Sequence, residues 1–117
     1  MYGPFPLSQI DKIPISPFPG VYILSRDGED IPDKDKRAHY VGRSDVDIGA
    51  RLKQHAQSSQ VYQYFWFEYV TSPHQAYQLE CQLYHHFNPP DNVIHPAVPP
   101  ETNWRCPVKG CVWSKDL

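Results

Sequence analysis

No run in the chain approaches the roughly 20 apolar residues that a membrane span needs. Its start, MYGPFPLSQIDKIP, lacks the basic-then-apolar order of a signal peptide. These absences set the expectation of a soluble, cytoplasmic protein. Cysteine is scarce. Cys81, Cys106 and Cys111 make an odd set without a secretory signal, which argues against a disulfide framework and leaves reduced thiols as the default. Positive charge is not in excess either: a formal charge of −2 and a pI near 6.3 give no overall basic field. Any binding to nucleic acid therefore has to rest on a local patch. Neither a repeat nor a linker divides the 117 residues, a length that suits one domain with one core and is too short for two.

What the chain does have is rings. Eight Tyr, five Phe and three Trp must fill much of the interior. Five prolines within residues 1–19 predict an extended arm with one short helical turn near Leu7 to Lys12. From Gly20, GVYILS reads as a strand, followed by the polar, turn-forming loop RDGEDIPDKDKR over 26–37 and a second strand from Ala38 to Gly42. With no helical crossover between them, the two strands are expected to form an antiparallel hairpin. Asp45 or Asp47 caps a helix in which Ile48 and Leu52 share a face and which ends near Ser58. YQYFWFEYV, residues 62–70, predicts a central strand with Phe65, Phe67 and Tyr69 on one face and Tyr64 and Trp66 on the other. Ser72 and Pro73 open a second helix with an apolar stripe of Ala76, Leu79, Leu83 and Phe87, ended by Asn88-Pro89-Pro90. The tail from Asp91 is irregular, and its WRCPVKGCVW stretch is suited to docking as a short arm.

With this order in place, Gly20-Val21-Tyr22 on one strand and Tyr40-Val41-Gly42 on the next resemble the two name-giving motifs of the GIY-YIG nuclease family. Arg51-Leu52 with His55 resembles the family's arginine helix, Glu80 its metal-binding glutamate and Asn92 its late asparagine. Either tripeptide alone is common; five elements in family order on matching predicted structures are specific. The resemblance covers about residues 19–96. It implies an α+β domain, a small antiparallel sheet of about three strands flanked by helices. It further implies an endonuclease that hydrolyses DNA phosphodiester bonds, on duplex or branched DNA, with one Mg²⁺ or Mn²⁺ ion.

Such a reaction needs an activated water, a cation at the leaving oxygen and a donor for the charge that builds on the phosphoryl oxygens. By resemblance Tyr22 is the general base with Tyr40 beside it, Arg51 binds the scissile phosphate and Glu80 holds the ion, with most of the ion's water shell kept. Ionising a free tyrosine at neutral pH costs on the order of 4 kcal/mol, so Tyr22 needs positive charge nearby. Arg43, Arg51 and the metal are the available sources. His55, one helical turn after Arg51, shares the work or is itself the base, since histidine titrates near neutrality. Gly42, Arg43, Lys53 and Asn92 are the expected nucleic-acid contacts around this centre.

Each residue also has a plainer reading. Tyr22 and Tyr40 suit a strand packing a core; Arg51, Lys53 and His55 suit a solvated helix face; Asn92 suits an Asx turn after the prolines. A non-cleaving module of the same shape, binding nucleic acid or protein, is the functional alternative, and a homodimer is one source of specificity. Cys106 and Cys111 with His85, His86 or His95 raise the question of zinc. The close ligand spacing and second ligand pair of a usual zinc motif are missing, so free thiols are expected there.

Overall fold

The computed structural model describes residues 1–26, 37–58 and 61–114. The polar loop read at 26–37 lies almost wholly outside the described residues. Its elements in chain order are β1 (Tyr2–Pro6), a 3-10 helix (Leu7–Lys12), β2 (Gly20–Ser25), β3 (Tyr40–Ser44), α1 (Ile48–Ser58), β4 (Tyr64–Tyr69), α2 (Pro73–Phe87) and a 3-10 turn (Val112–Ser114). The strands form one antiparallel sheet of four, in the order β1-β4-β2-β3. β2 and β3 make the expected hairpin, and β4 is interior.

The additional strand is β1, where the prolines predicted only an arm. Proline removes a ladder donor, which an edge strand tolerates, and β1 is an edge. Pro4 sits at the register shift between Tyr2 and Phe5, beside Gly3 at φ +126°. The short helical turn at Leu7–Lys12 follows as read, and buries Leu7 and Ile10.

Side chains alternate across the sheet and sort into two layers. Tyr22, Leu24, Phe65 and Phe67 face Ile48 and Leu52 of α1 together with Leu7 and Ile10. Ile23 and Val41 face the other way, with Trp66, Leu83 and Phe87 packed against them under α2. Both helix starts are capped by short oxygen side chains. Asp47 Oδ1 accepts from Ala50 N at 3.1 Å, and Ser72 Oγ accepts from Gln75 N at 3.2 Å with Pro73 opening α2. Asn88, at φ 47°, ends α2 in the left-handed region that asparagine tolerates.

The buried face of α2 differs from the stripe expected in the sequence. Ala76, Tyr77, Glu80 and Cys81 are buried, whereas Leu79 is half-buried. The reason is the tail, which docks as an arm: Val98, Trp104, Cys106, Val108 and Cys111 pack on Tyr77 and Cys81 and widen the covered face. Among the described residues no helix is long and apolar enough to cross a membrane.

Candidate functional site

Two glycines set the geometry at the sheet. Gly42 lies opposite Tyr22 in the β2–β3 ladder, and a Cβ there would run into Cζ, Cε2 and the hydroxyl of Tyr22. Gly20 lets β2 approach the Glu68 carbonyl of β4 and Ile48 of α1. The Tyr22 ring therefore lies across β3, and its hydroxyl emerges beside α1. Gly42→Ala is expected to keep the fold at a cost of about 1–3 kcal/mol from overpacking and to push the hydroxyl out of place. Circular dichroism with thermal melting checks this: a Gly42→Ala protein as stable as the parent contradicts the packing argument.

On α1, Arg51 and His55 are one turn apart and both reach Tyr22. His55 Nε2 lies 2.7 Å from the Tyr22 hydroxyl. Their rings meet edge-on at 5.2 Å, and Tyr40 completes the cluster at 5.6 Å from His55 and 6.4 Å from Tyr22. Burial, reinforced by Arg51, holds the His55 pKa down at about 4, so its imidazole is neutral at pH 7. Burial pushes the Tyr22 pKa well above 10; Arg51 pulls against this and Tyr40 and Glu80 add to it. With the imidazole neutral, the Tyr22 hydroxyl can donate to a bare His55 Nε2, and the Arg51 charge lies close enough to oppose the rise in the Tyr22 pKa. Arg51 is exposed, with Nη1 donating to Gln54 at 2.9 Å.

Keeping His55 neutral also ties stability to pH. Its folded pKa lies below the unfolded 6.5. The associated stability is complete above pH 6.5 and is lost as pH falls from there through about 4.

Glu80 comes from α2, on the other layer. Its Oε1 accepts from Arg43 Nη1. Arg43 in turn donates through Nε to Asp45 at 3.1 Å and through Nη2 to the Ala97 carbonyl at 2.9 Å, and its guanidinium lies over the Tyr77 ring. Burial raises the Glu80 pKa, and Arg43 opposes the rise. Tyr22 and Glu80 thus root on opposite layers of the sheet. The Glu80 charge is near enough to raise the Tyr22 pKa. Glu80 Oε2 has no hydrogen-bond partner among the described residues and is not sealed from solvent. One uncommitted carboxylate oxygen on a buried side chain is a minimal donor for an ion that takes its other ligands from water.

The other expected contacts are placed differently. Arg43 is committed to Glu80, Asp45 and Ala97 rather than free for phosphate. Lys53 lies away from Tyr22, lining shallow grooves with Ile10, Ile13 and Asp11. The Asn92 carboxamide is spent on β3, accepting from Val41 N at 2.8 Å and donating to Val41 O at 2.9 Å, which closes the outer edge of that strand. Asp91 adds to this clamp through Tyr62 at 2.8 Å and Arg26 at 3.1 Å. A cavity of about 550 Å³ lies elsewhere, lined mainly by apolar residues such as Ile23, Trp66, Leu83 and Phe87, with Arg37 and His86 also on its wall. Of the two tyrosines, Tyr22 is buried on the interior strand β2, whereas Tyr40, on edge strand β3, is half-buried.

A second constellation was discounted in the sequence. His85, His95, Cys106 and Cys111 each bring one ligand atom, all within 4.8 Å of one another. Compared with known proteins, the chain matches no family model, no curated protein and no solved structure.

Proposed function

We propose that the protein is a metal-dependent endonuclease of the GIY-YIG type, hydrolysing DNA phosphodiester bonds at the edge of β3. The observation that carries this reading is the Tyr22–His55 pair at 2.7 Å, with Arg51 alongside and Gly42 beneath. A buried hydroxyl bonded to a neutral imidazole is a proton relay in waiting. Burial makes a free Tyr22 phenolate costly, so the phenol does not act alone. As water attacks phosphorus, Tyr22 takes the water's proton while its own passes to His55 Nε2. The new P–O bond forms as the bond to the leaving oxygen breaks. Arg51, exposed and forked, binds the scissile phosphate and offsets the charge growing on its oxygens. Tyr40 packs on His55 and holds the relay's rings in register. Glu80 would hold the divalent ion, Mg²⁺ or Mn²⁺, which supplies Lewis-acid stabilisation to the leaving oxygen.

The pairing of Arg43 with Glu80 favours a second reading, in which the carboxylate is neutralised internally and the domain binds nucleic acid or protein without cutting. Incubation with supercoiled plasmid separates the two. The nuclease reading expects nicking with Mg²⁺ or Mn²⁺ that chelation stops. Retention of the plasmid in a gel without nicking under any divalent ion supports the binding module.

The relay also fixes the pH profile. With His55 titrating at about 4, the acidic limb of kcat/KM is expected near that value, not near the ordinary histidine value of 6.5. A rate already at about half its plateau near pH 6.5 would assign the limb to an ordinary histidine and remove His55 as the acceptor.

A further inference from the structure

We propose that His85, His95, Cys106 and Cys111 form a tetrahedral zinc site that fastens the C-terminal tail to α2, separate from the phosphodiester site. Their ligand atoms lie within 4.8 Å of one another, and Cys111 Sγ is 3.5 Å from His95 Nε2. In tetrahedral zinc with bonds of about 2.3 Å to sulfur and about 2.0 Å to nitrogen, adjacent S and N atoms stand roughly 3.6 Å apart. The His95–Cys111 pair already has that spacing, and the other ligands need move by only about an ångström to reach it.

His95 carries the second mark of a ligand. Its Nδ1 lies 3.0 Å from the Pro96 carbonyl and donates to it, which leaves Nε2 bare and aimed at Cys111. A zinc-bound histidine commonly has its far N–H fixed in this way. The loop Cys106-Pro-Val-Lys-Gly-Cys111 is bent to bring both sulfurs to one side. Gly110 takes φ +88°, Cys111 N donates to Val108 O at 3.3 Å, and Cys106 N donates to Trp113 O at 3.0 Å. Rings surround the centre: Tyr84 and His85 each lie 5.3 Å from His95, and Trp113 stacks on it at 5.5 Å.

The donor set selects the metal. Two thiolates and two imidazoles suit zinc and are poor ligands for Mg²⁺ or Ca²⁺, and with Zn²⁺ the site is electrically neutral. Cys106 is buried, His95 and Cys111 are half-buried and His85 is exposed, so the ion has an entry path and a covered seat. The need for such a clasp is visible in the fold. From Pro89 to Ser114 the chain forms no helix or strand beyond the turn at Val112–Ser114, yet it packs against Tyr77 and Cys81. A metal joining α2 to two points of this segment holds it there. The clasp also reaches toward the first site, because Ala97, two residues after His95, holds Arg43, and Arg43 holds Glu80.

Metal analysis of the untagged full chain, purified under reducing conditions, tests the proposal. About one zinc per chain is expected, and stripped protein titrated with Co²⁺ should give intense tetrahedral visible bands with a thiolate charge-transfer band. Cys111→Ser and His95→Ala should each cut bound zinc at least about tenfold, whereas His86→Ala, at the neighbouring helix position, should keep it. If a ligand variant does not fold, the Co²⁺ spectrum of the parent still decides. Three titratable thiols with no zinc and no tetrahedral cobalt spectrum would overturn the site, and so would a Cys106–Cys111 disulfide in the native protein. None of these readouts depends on nuclease activity.

Discussion

Tyr22→Phe is expected to slow DNA nicking by about 10²–10⁴-fold, the usual contribution of a placed acid–base group, with DNA binding unchanged. The ring stays where Gly42 admits it, so packing is preserved and only the hydroxyl is lost. That hydroxyl is the partner of His55 Nε2, and its removal leaves the nitrogen of a half-buried ring without this bond, at a cost of about 1 kcal/mol. The melting temperature should therefore fall modestly while the nicking rate falls by orders of magnitude. His55→Ala should reproduce the kinetic loss, because the relay then has no acceptor. A Tyr22→Phe protein that nicks at the parent rate would remove the tyrosine from the chemistry.

The second large effect separates Glu80 from its partner. Glu80→Gln keeps a carbonyl oxygen for Arg43 but removes the charge that holds an ion, so nicking should fall at least about 100-fold even at saturating Mg²⁺. DNA affinity should stay level or rise slightly, since one negative charge near the phosphates is gone. Arg43→Met should instead show mainly as instability. The two side chains are 14% and 9% exposed, so they form a buried pair and not a surface one. Removing one member of a buried pair leaves an uncompensated charge at a cost of about 3–5 kcal/mol, a large fraction of a small domain's stability. Calorimetry of the two variants checks the division of labour. A Met variant as stable as the parent would mean that water, not Arg43, compensates Glu80.

Much of this was legible along the chain because its signals are local. The alternation in GVYILS and YQYFWFEYV, the Ser72-Pro73 opening and the Asn88-Pro89-Pro90 stop each act within a few residues, and the structure follows them. β1 was missed because Pro4 and Pro6 argue against a strand, and its edge position, which excuses them, depends on β4 some sixty residues away. Arg43 resembled a phosphate ligand by its place after Gly42, yet alternation along β3 puts residue 43 on the face of Val41, under α2, and Gly42 under Tyr22. That signal was in the sequence. Asn92 and the His/Cys cluster were not readable in the same way. Their partners are set by how the tail packs on Tyr77 and Cys81, which no spacing rule encodes.

The central claim is that residues from both layers of the sheet act on one phosphate at the edge of β3. A double-mutant cycle of Tyr22→Phe and Glu80→Gln, read as single-turnover nicking rates on one DNA substrate with Mg²⁺, tests it most directly. Groups that act as one unit give strongly non-additive losses. Each single variant should fall by about two orders of magnitude or more, and the double variant should be no slower than the weaker single one. Equal rates in all four proteins, or losses that simply multiply, would contradict a shared site.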